Sequence, residues 1–88
     1  MTASDDDIMN TSATNLSFCD AWAHCLVGRR IAREGWNGKG MYLMVRTPSG
    51  TSDMTRPYVY IFDAQQHVVP WNPSQTDLFA ADWCIIAG

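Results

Sequence analysis

The sequence is organised around Gly35-Trp36-Asn37-Gly38-Lys39-Gly40-Met41, a glycine-rich stretch that leads directly into a strand-like run ending at Arg46. Glycine permits a positive φ and lets a ligand approach the backbone closely. A second polar and aromatic stretch, Val69-Pro70-Trp71-Asn72-Pro73-Ser74-Gln75-Thr76-Asp77, lies near the other end of the chain. We expect the two stretches to meet in space and to form a binding site for a small molecule. The alternative is that both stretches are no more than well-formed turns.

A helix is predicted before the glycine-rich stretch. Ser17 is the expected N-cap, and Gly28 is the residue expected to end the helix. Between them, five apolar residues recur at the spacing of one helix face: Phe18, Ala21, Trp22, Cys25 and Leu26. We therefore expect Phe18, Trp22 and Leu26 to pack on a sheet.

The rest of the chain alternates strand-like runs with short polar connections. The predicted strands are Arg29 to Arg33, Met41 to Arg46, Tyr58 to Phe62, His67 to Val69 and Trp83 to Ile86. Ser74 is placed to cap a short helical turn that runs to Ala80 or Ala81. The pattern predicts an α+β fold, with one N-terminal helix packed on a mostly antiparallel sheet of about five short strands. Residues 1–15 are predicted to be a disordered N-terminal arm, and residues 16–88 a single domain.

Charge is distributed unevenly along the 88 residues. The net charge of −3 equals the contribution of Asp5, Asp6 and Asp7 in the arm, because the chain from residue 16 onward has six acidic and six basic residues. A formally neutral body argues against a DNA- or RNA-binding protein, which needs many phosphate contacts. Four cations are nevertheless close in sequence and suit one small anion: Arg29, Arg30, Arg33 and Lys39.

The cysteines and the apolar runs exclude several classes of protein. Cys19, Cys25 and Cys84 are an odd number without CxxC spacing, which argues against a disulfide framework and a zinc site and favours free, buried thiols. No apolar run is long enough to span a membrane, so no membrane partner is expected. A domain of this size has a small core, so we expect a homo-oligomer.

Motifs for catalysis are not found. The glycines at 35, 38 and 40 lack GxGxxG spacing and precede a strand rather than a helix, and neither His24 nor His67 has a candidate metal partner nearby. Asp77 and Asp82 could form an acid–base pair. A simpler explanation is that Asp77 is an acid in the first turn of a helix and that Asp82 is an acid in a loop. We therefore expect a binding protein that is not an enzyme and that needs no cofactor or metal.

The four tryptophans fall into two groups. Trp22 and Trp83 lie in periodic apolar sequence and are predicted to be core residues, whereas Trp36 and Trp71 lie among Gly, Pro, Asn and Ser. An indole that stacks on a base contributes about 1–3 kcal/mol to binding. The alternative, equally supported by composition, is that Trp36 and Trp71 close the end of the sheet with their N–H groups on backbone carbonyls.

The polar residues of both stretches also allow two interpretations. Asn37, Gln75 and Thr76 offer the donors and acceptors that a base edge or a ribose requires. Asn37-Gly38 is also the commonest pair in a type I′ turn. Lys39 suits a phosphate, or it is simply solvated.

The two stretches together resemble a known family. Arg33-x-x-Trp36-Asn37-Gly38-Lys39-Gly40-Met41, followed by Val69-Pro70-Trp71-x-Pro73-Ser74-Gln75-Thr76-Asp77-Leu78-x-Ala80-x-Asp82-Trp83, is similar to the Thoeris anti-defence sponges of the second type, a family of small phage and prophage proteins. The resemblance extends from Leu16 to Ile86 and leaves out the Asp-rich arm. Asn72 and Phe79 depart from the family pattern beside the second motif.

The resemblance implies a function and a site. Such sponges bind glycocyclic ADP-ribose, an immune signal made by bacterial TIR-domain enzymes, without degrading it, and some relatives take guanine-containing cyclic dinucleotides. It further implies a homotetramer with pockets between protomers, acting in the cytoplasm of the infected host. A hydrolase or lyase of such nucleotides and a structural phage component without a ligand remain alternatives. The ligand-binding residues predicted from the two motifs are Trp36, Asn37, Gly38, Lys39, Gly40, Met41, Trp71, Ser74, Gln75, Thr76 and Asp77.

Overall fold

One helix lies against one face of a five-stranded antiparallel sheet, which confirms the predicted α+β class. The computed structural model describes residues 13–36 and 40–86. The strand order in the sheet is β4-β3-β2-β1-β5. The elements in chain order are α1 Phe18–Leu26, β1 Arg30–Arg33, β2 Tyr42–Arg46, β3 Tyr58–Phe62, β4 Val68–Pro70, α2 Gln75–Phe79 and β5 Trp83–Ile86.

Helix α1 begins and ends at the predicted residues. The Ser17 hydroxyl accepts a hydrogen bond from the Asp20 N–H at 3.2 Å, so Ser17 is the N-cap. Gly28 has φ +96°, a left-handed conformation that glycine adopts without steric cost, and its N–H donates to the Cys25 carbonyl. The helix packs on β1, β2 and β5.

The core is a row of aligned side chains beneath this helix. Ile31 of β1 pairs with Leu43 of β2 on one side and with Ile85 of β5 on the other. All three are buried, as is Trp83, the largest fully buried side chain. Side chains alternate between the two faces of a strand, so this pairing brings the apolar positions of three strands to the face that α1 covers.

The helix face differs from the predicted one. Ala21 and Cys25 are its buried residues, Trp22 is half-buried, and Leu26 is 57% exposed. The prediction that Leu26 packs on the sheet is therefore wrong. The physical reason is the position of the helix: it covers β1, β2 and β5, so the flank that carries Leu26 overhangs the half of the sheet formed by β3 and β4.

Three strands differ slightly from prediction. Strand β1 begins at Arg30 rather than Arg29, β2 begins at Tyr42 rather than Met41, and β4 spans Val68–Pro70 rather than His67 to Val69. Ahead of α1, the Ala13 carbonyl accepts from the Ile85 N–H at 2.8 Å and Leu16 bridges to Trp83. The remainder of the predicted arm, residues 1–12, lies outside the described residues.

The three thiols are free but differ in environment. Cys25 is buried, and burial raises the pKa of its thiol to about 11. Cys84 is half-buried, and desolvation raises its pKa as well. Cys19 is exposed, so the prediction that the thiols are buried is wrong for this residue, which lies on the solvent side of α1. Within residues 13–36 and 40–86, no helix is both long and apolar enough to cross a membrane.

Trp83→Ala should lower the free energy of unfolding by about 3–5 kcal/mol, because a fully buried indole leaves a large cavity. Urea denaturation followed by circular dichroism measures this value. Trp22→Ala is the matched control and should cost clearly less, since its indole is half-buried. Equal losses for the two variants would contradict the difference in burial.

Candidate functional site

Arg33 joins the two sequence motifs. Its guanidinium donates from Nη1 to Asp77 Oδ1 at 2.9 Å and from Nε to Asp82 Oδ1 at 2.8 Å. The side chains of Arg33 and Asp77 are only 16% and 14% exposed. We call Arg33, Asp77 and Asp82 the Arg33 cluster. It brings the end of β1, where the glycine-rich stretch begins, against the first turn of α2, so the two stretches do meet in space.

Asp82 also fixes the start of the glycine-rich stretch. Its Oδ2 accepts from the Gly35 N–H at 2.8 Å, and its backbone carbonyl accepts from the Glu34 N–H at 3.1 Å. A Cβ at position 35 would lie 2.7 Å from Asp82 Oδ2, so the carboxylate would have to move away from the Gly35 N–H and from Arg33. Glycine at this position therefore allows the close approach of the Asp82 carboxylate to the backbone.

Asp77 holds α2 and the first motif together. Its Oδ2 accepts from the Ser74 N–H at 3.0 Å while its own N–H donates to Ser74 Oγ at 3.1 Å, a complete capping box. Its Oδ1 accepts from the Trp36 indole N–H at 3.4 Å, and its backbone carbonyl accepts from the Trp83 indole N–H at 2.9 Å. The predicted role of Asp77 as a first-turn helix acid is confirmed.

These contacts lower the pKa of both carboxyl groups. For Asp82, the hydrogen bond from Arg33 lowers the pKa, and this outweighs the opposing effect of burial. For Asp77, burial alone raises the pKa, but the combined hydrogen bonds from Ser74, Arg33 and Trp36 lower it below its ordinary value. The same pairs raise the pKa of Arg33, with Asp82 contributing more than Asp77. The Arg33 cluster is thus a charged network at neutral pH.

Trp36 and Trp71 flank the buried Trp83 from two sides. Both rings meet Trp83 edge to face, with centroids 5.5 Å away for Trp36 and 6.0 Å away for Trp71. Trp71 also lies 6.0 Å from Phe18. The Trp36 ring packs against the core, as in the alternative of an indole that closes the end of the sheet, but its N–H donates to the Asp77 carboxylate rather than to a backbone carbonyl. Trp71 borders an open groove on its other side.

The remaining predicted ligand residues are mostly at the surface. Ser74, Gln75 and Thr76 are exposed, and Met41 is half-buried. Gly40 is exposed with φ +79°, the backbone freedom expected of this glycine. Asn37, Gly38 and Lys39 lie outside the described residues. Gln75 and Thr76 are therefore available to a ligand, and the exposed Ser74 hydroxyl can still donate, whereas Trp36 and Asp77 already have partners inside the chain.

A groove that the sequence did not reveal lies beside Trp71. Its volume is about 410 Å³, and it is lined by apolar and aromatic side chains from α1 and three strands, among them Trp22, Leu26, Val45, Tyr58, Val59 and Trp71. No residue that lines this groove is charged. Periodicity placed Trp22 in the core and Tyr58 in a strand, but periodicity does not show where a helix stops covering a sheet.

The three arginines of the predicted cation cluster, which are the members that the structure describes, lie in separate places. Arg29 lies 2.7 Å from His24 Nδ1, and Arg33 is paired with two carboxylates. The Arg30 guanidinium lies 5.2 Å from the centroid of the Tyr42 ring, on the opposite face of the sheet from Ile31. Alternation along β1 separates arginines that are neighbours in sequence. Among the residues described, no group of three His, Cys, Asp or Glu could hold a metal ion.

Comparison with known proteins places this small α+β domain among phage anti-defence proteins. The model of the Tad2-like family, the Thoeris anti-defense 2-like domain, matches residues 16–86. The chain belongs to this family, which confirms the resemblance carried by the two motifs. It is similar to Thoeris anti-defense 2 of Bacillus phage SP01, with 30% identity over 87 residues, 84% of this chain and 98% of that protein.

Acid should unfold the protein by protonating the Arg33 cluster. Because the folded-state pKa values of Asp77 and Asp82 are lowered, their stabilisation is complete above their ordinary pKa of 3.8 and is lost as the pH falls through the folded-state values. Asp82→Asn should reduce the free energy of unfolding at pH 7 by about 1–3 kcal/mol. It should also make stability fall less steeply with decreasing pH below about pH 4. Melting temperatures between pH 2 and pH 7, in roughly half-unit steps, test this. The exposed Asp53→Asn is the control, and an unchanged acid profile for Asp82→Asn would contradict the role of Asp82.

Gly35→Ala should destabilise the protein by about 1–3 kcal/mol, because the new Cβ displaces the Asp82 carboxylate from the Gly35 N–H and from Arg33. Gly50→Ala is the matched control, since nothing lies within 4 Å of a Cβ at that position. Chemical denaturation compares the two. If both substitutions had the same small effect, the close approach at Gly35 would not be a structural constraint.

Proposed function

We propose that this protein is a phage anti-defence sponge that binds a nucleotide signal of bacterial immunity, glycocyclic ADP-ribose, and holds it without degrading it. Membership of the Thoeris anti-defense 2-like family supports the anti-defence role. The observation that carries the binding proposal is the Arg33 cluster. Its ion pairs join the only two stretches whose composition suits a nucleotide into one unit, with the polar residues of the second stretch left at the surface.

Within this unit, the predicted ligand residues divide into two roles. Ser74, Gln75 and Thr76 are exposed and would hydrogen-bond the base or the ribose, with Asn37 and Lys39 completing the set toward base and phosphate. Gly38, Gly40 and Met41 would allow the backbone to approach the ligand. Trp36, Trp71 and Asp77 would border the ligand while packing on Trp83 or holding Arg33.

Binding without turnover is supported by the state of the candidate acid–base pair. Asp77 and Asp82 both accept hydrogen bonds from Arg33, and both have lowered pKa values. A general acid requires a carboxyl group that is still protonated near neutral pH, which usually means a raised pKa. Two carboxylates held in the ionised form by one guanidinium suit a structural role better than proton transfer.

Tight binding is the reason to propose an assembly. A sponge that competes with an immune receptor at nanomolar concentration needs about −12 kcal/mol of binding free energy. Ligand sites of that quality enclose most of the ligand surface. The second motif lies on the surface of one copy, so we propose that pockets form between protomers of a homotetramer in the cytoplasm of the infected host, with no nucleic acid or membrane as partner.

Two other functions are consistent with the same features of the structure. A guanine-containing cyclic dinucleotide presents the same kinds of group, a flat base and phosphates, to the exposed amide and hydroxyls of α2. A structural phage component without a ligand is favoured by the apolar groove and by Phe79, which is 83% exposed.

Titration calorimetry with purified glycocyclic ADP-ribose and with cyclic dinucleotides separates these candidates. We expect nanomolar binding of at least one, and recovery of the unmodified nucleotide by mass spectrometry after heat denaturation. A converted nucleotide would indicate a hydrolase or lyase. If no nucleotide binds, the result favours a structural phage component without a ligand.

Gln75→Ala should weaken nucleotide binding by roughly five- to hundredfold and leave stability within about 0.5 kcal/mol, because this side chain is exposed. Gln65→Ala, in the exposed turn before β4, is the matched control and should change neither. Trp36→Ala is a less selective variant, since the loss of its contacts with Trp83 and Asp77 should also lower stability. Full affinity in Gln75→Ala would remove α2 from the proposed site.

The purified protein should have a mass well above the 9.8 kDa of one chain, and four times that mass if the tetramer is correct. Light scattering at micromolar concentration measures it directly. A mass equal to one chain, with or without nucleotide, would contradict the proposed pockets between protomers.

A further inference from the structure

Two apolar features remain unexplained by the proposed ligand site. The first is the groove of about 410 Å³ beneath the free flank of α1. The second is Phe79, the last residue of α2, whose side chain is 83% exposed. A phenylalanine that is largely exposed to water leaves apolar surface unburied, and an unfilled apolar groove does the same.

The groove extends from Trp71, which packs on Phe18 at the first turn of α1, to Leu26 at the end of that helix. Helix α2 is held near the first turn of α1, because Trp83 contacts both the Asp77 carbonyl, at 2.9 Å, and the Phe18 ring, at 5.2 Å. The groove includes Leu26, the last residue of α1. A helix of nine residues is about 13 Å long, so Phe79 and the Leu26 end of its own groove are well separated.

We propose that Phe79 of one copy inserts into the groove of a second copy, and that the contact is reciprocal. A two-fold axis pairs each surface patch with the corresponding patch of its partner. A projecting Phe79 and the Leu26 end of the groove, separated on the surface of each copy, can satisfy this condition twice in one dimer. The inference rests on the assembly proposed above and specifies which residues form one of its interfaces.

The chemistry of the groove favours this occupant. No charged residue lines it, so it matches an apolar side chain and offers no cationic partner for the phosphates of a nucleotide. Its border is also apolar, since Leu26 and the adjacent Val27 are 57% and 69% exposed. Aromatic residues that fill a pocket at the centre of an interface are the usual source of its binding energy.

The contact has a consequence for the ligand site. Phe79 is two residues beyond Asp77, so its insertion brings the surface of the partner beside Ser74, Gln75 and Thr76. The second motif would then lie at the boundary between two copies. Ligand affinity should therefore depend on Phe79 even though Phe79 itself need not touch the nucleotide.

Phe79→Asp tests the proposal, because a carboxylate cannot enter an apolar groove without a partner. We expect the dissociation constant of the dimer to rise by roughly 100-fold or more, as for a hot-spot residue that is used twice. Sedimentation velocity over a dilution series measures it, and circular dichroism checks that the variant folds. Phe79→Ala provides a milder second variant. Val68→Asp, an exposed apolar position on the opposite face of the sheet, is the control and should assemble normally.

Mixing two variants tests the reciprocal geometry. Leu26→Asp alters the groove and should also dissociate the dimer. A mixture of Phe79→Asp and Leu26→Asp copies retains one intact contact, between Phe79 of the second copy and the unaltered groove of the first. We expect each single variant to form a smaller assembly than the parent protein, and native mass spectrometry of the mixture to find a larger, mixed assembly that neither variant forms by itself. Normal assembly of Phe79→Asp, or a mixture that assembles no further than the single variants, would overturn the proposal.

Calorimetry with glycocyclic ADP-ribose separates this inference from the proposed function. Loss of assembly together with weakened nucleotide binding supports both. Loss of assembly with unchanged nucleotide affinity supports the Phe79 contact and contradicts the pocket between protomers. If Leu26→Asp weakened nucleotide binding while assembly stayed intact, the groove would belong to the ligand, and the proposed contact would be wrong.

Discussion

The guanidinium of Arg33, held between the carboxylates of Asp77 and Asp82, is the interaction on which the site depends. Arginine has a rigid, planar set of donors, so one side chain can bond two carboxylates at fixed angles, which lysine cannot do. The three groups come from the end of β1, from α2 and from the loop before β5. Their contact therefore sets the position of both motifs relative to the sheet.

Trp83 extends this arrangement into the core. It is fully buried, donates its indole N–H to the Asp77 carbonyl, and contacts Phe18, Trp36 and Trp71. Two of these rings belong to the motifs that suggested a nucleotide site. Part of the aromatic character of the motifs thus serves packing, and the polar residues of α2 are left as the groups with unused hydrogen-bonding capacity.

The two faces of the sheet have different chemistry. On the face away from α1, the Tyr42 ring stacks on Phe62 with centroids 5.1 Å apart, and the guanidiniums of Arg30 and Arg46 lie over the Tyr42 and Tyr60 rings. These cations contact aromatic rings of the same chain, an arrangement that contributes about 0.5–1 kcal/mol per pair at exposed sites. On the face toward α1, incomplete cover by the helix leaves the apolar groove.

The sequence by itself determined the fold class, the helix with its Ser17 cap and Gly28 end, the five strands and the family. These follow from local chemistry: periodic apolar residues, turn residues and side chains that cap a helix a few positions away. It also predicted that the two motifs meet.

Only the tertiary structure decided how the motif residues are used. Arg33 is 44 residues from Asp77 and 49 residues from Asp82 in sequence. No local pattern specifies an ion pair over such a separation. The exposure of Leu26 and the groove beside Trp71 depend on where α1 crosses the sheet, which the packing of Ala21 and Cys25 on β1, β2 and β5 sets. Helical periodicity shows which residues share a face, but the width of the face that becomes buried is fixed by the surface it packs against.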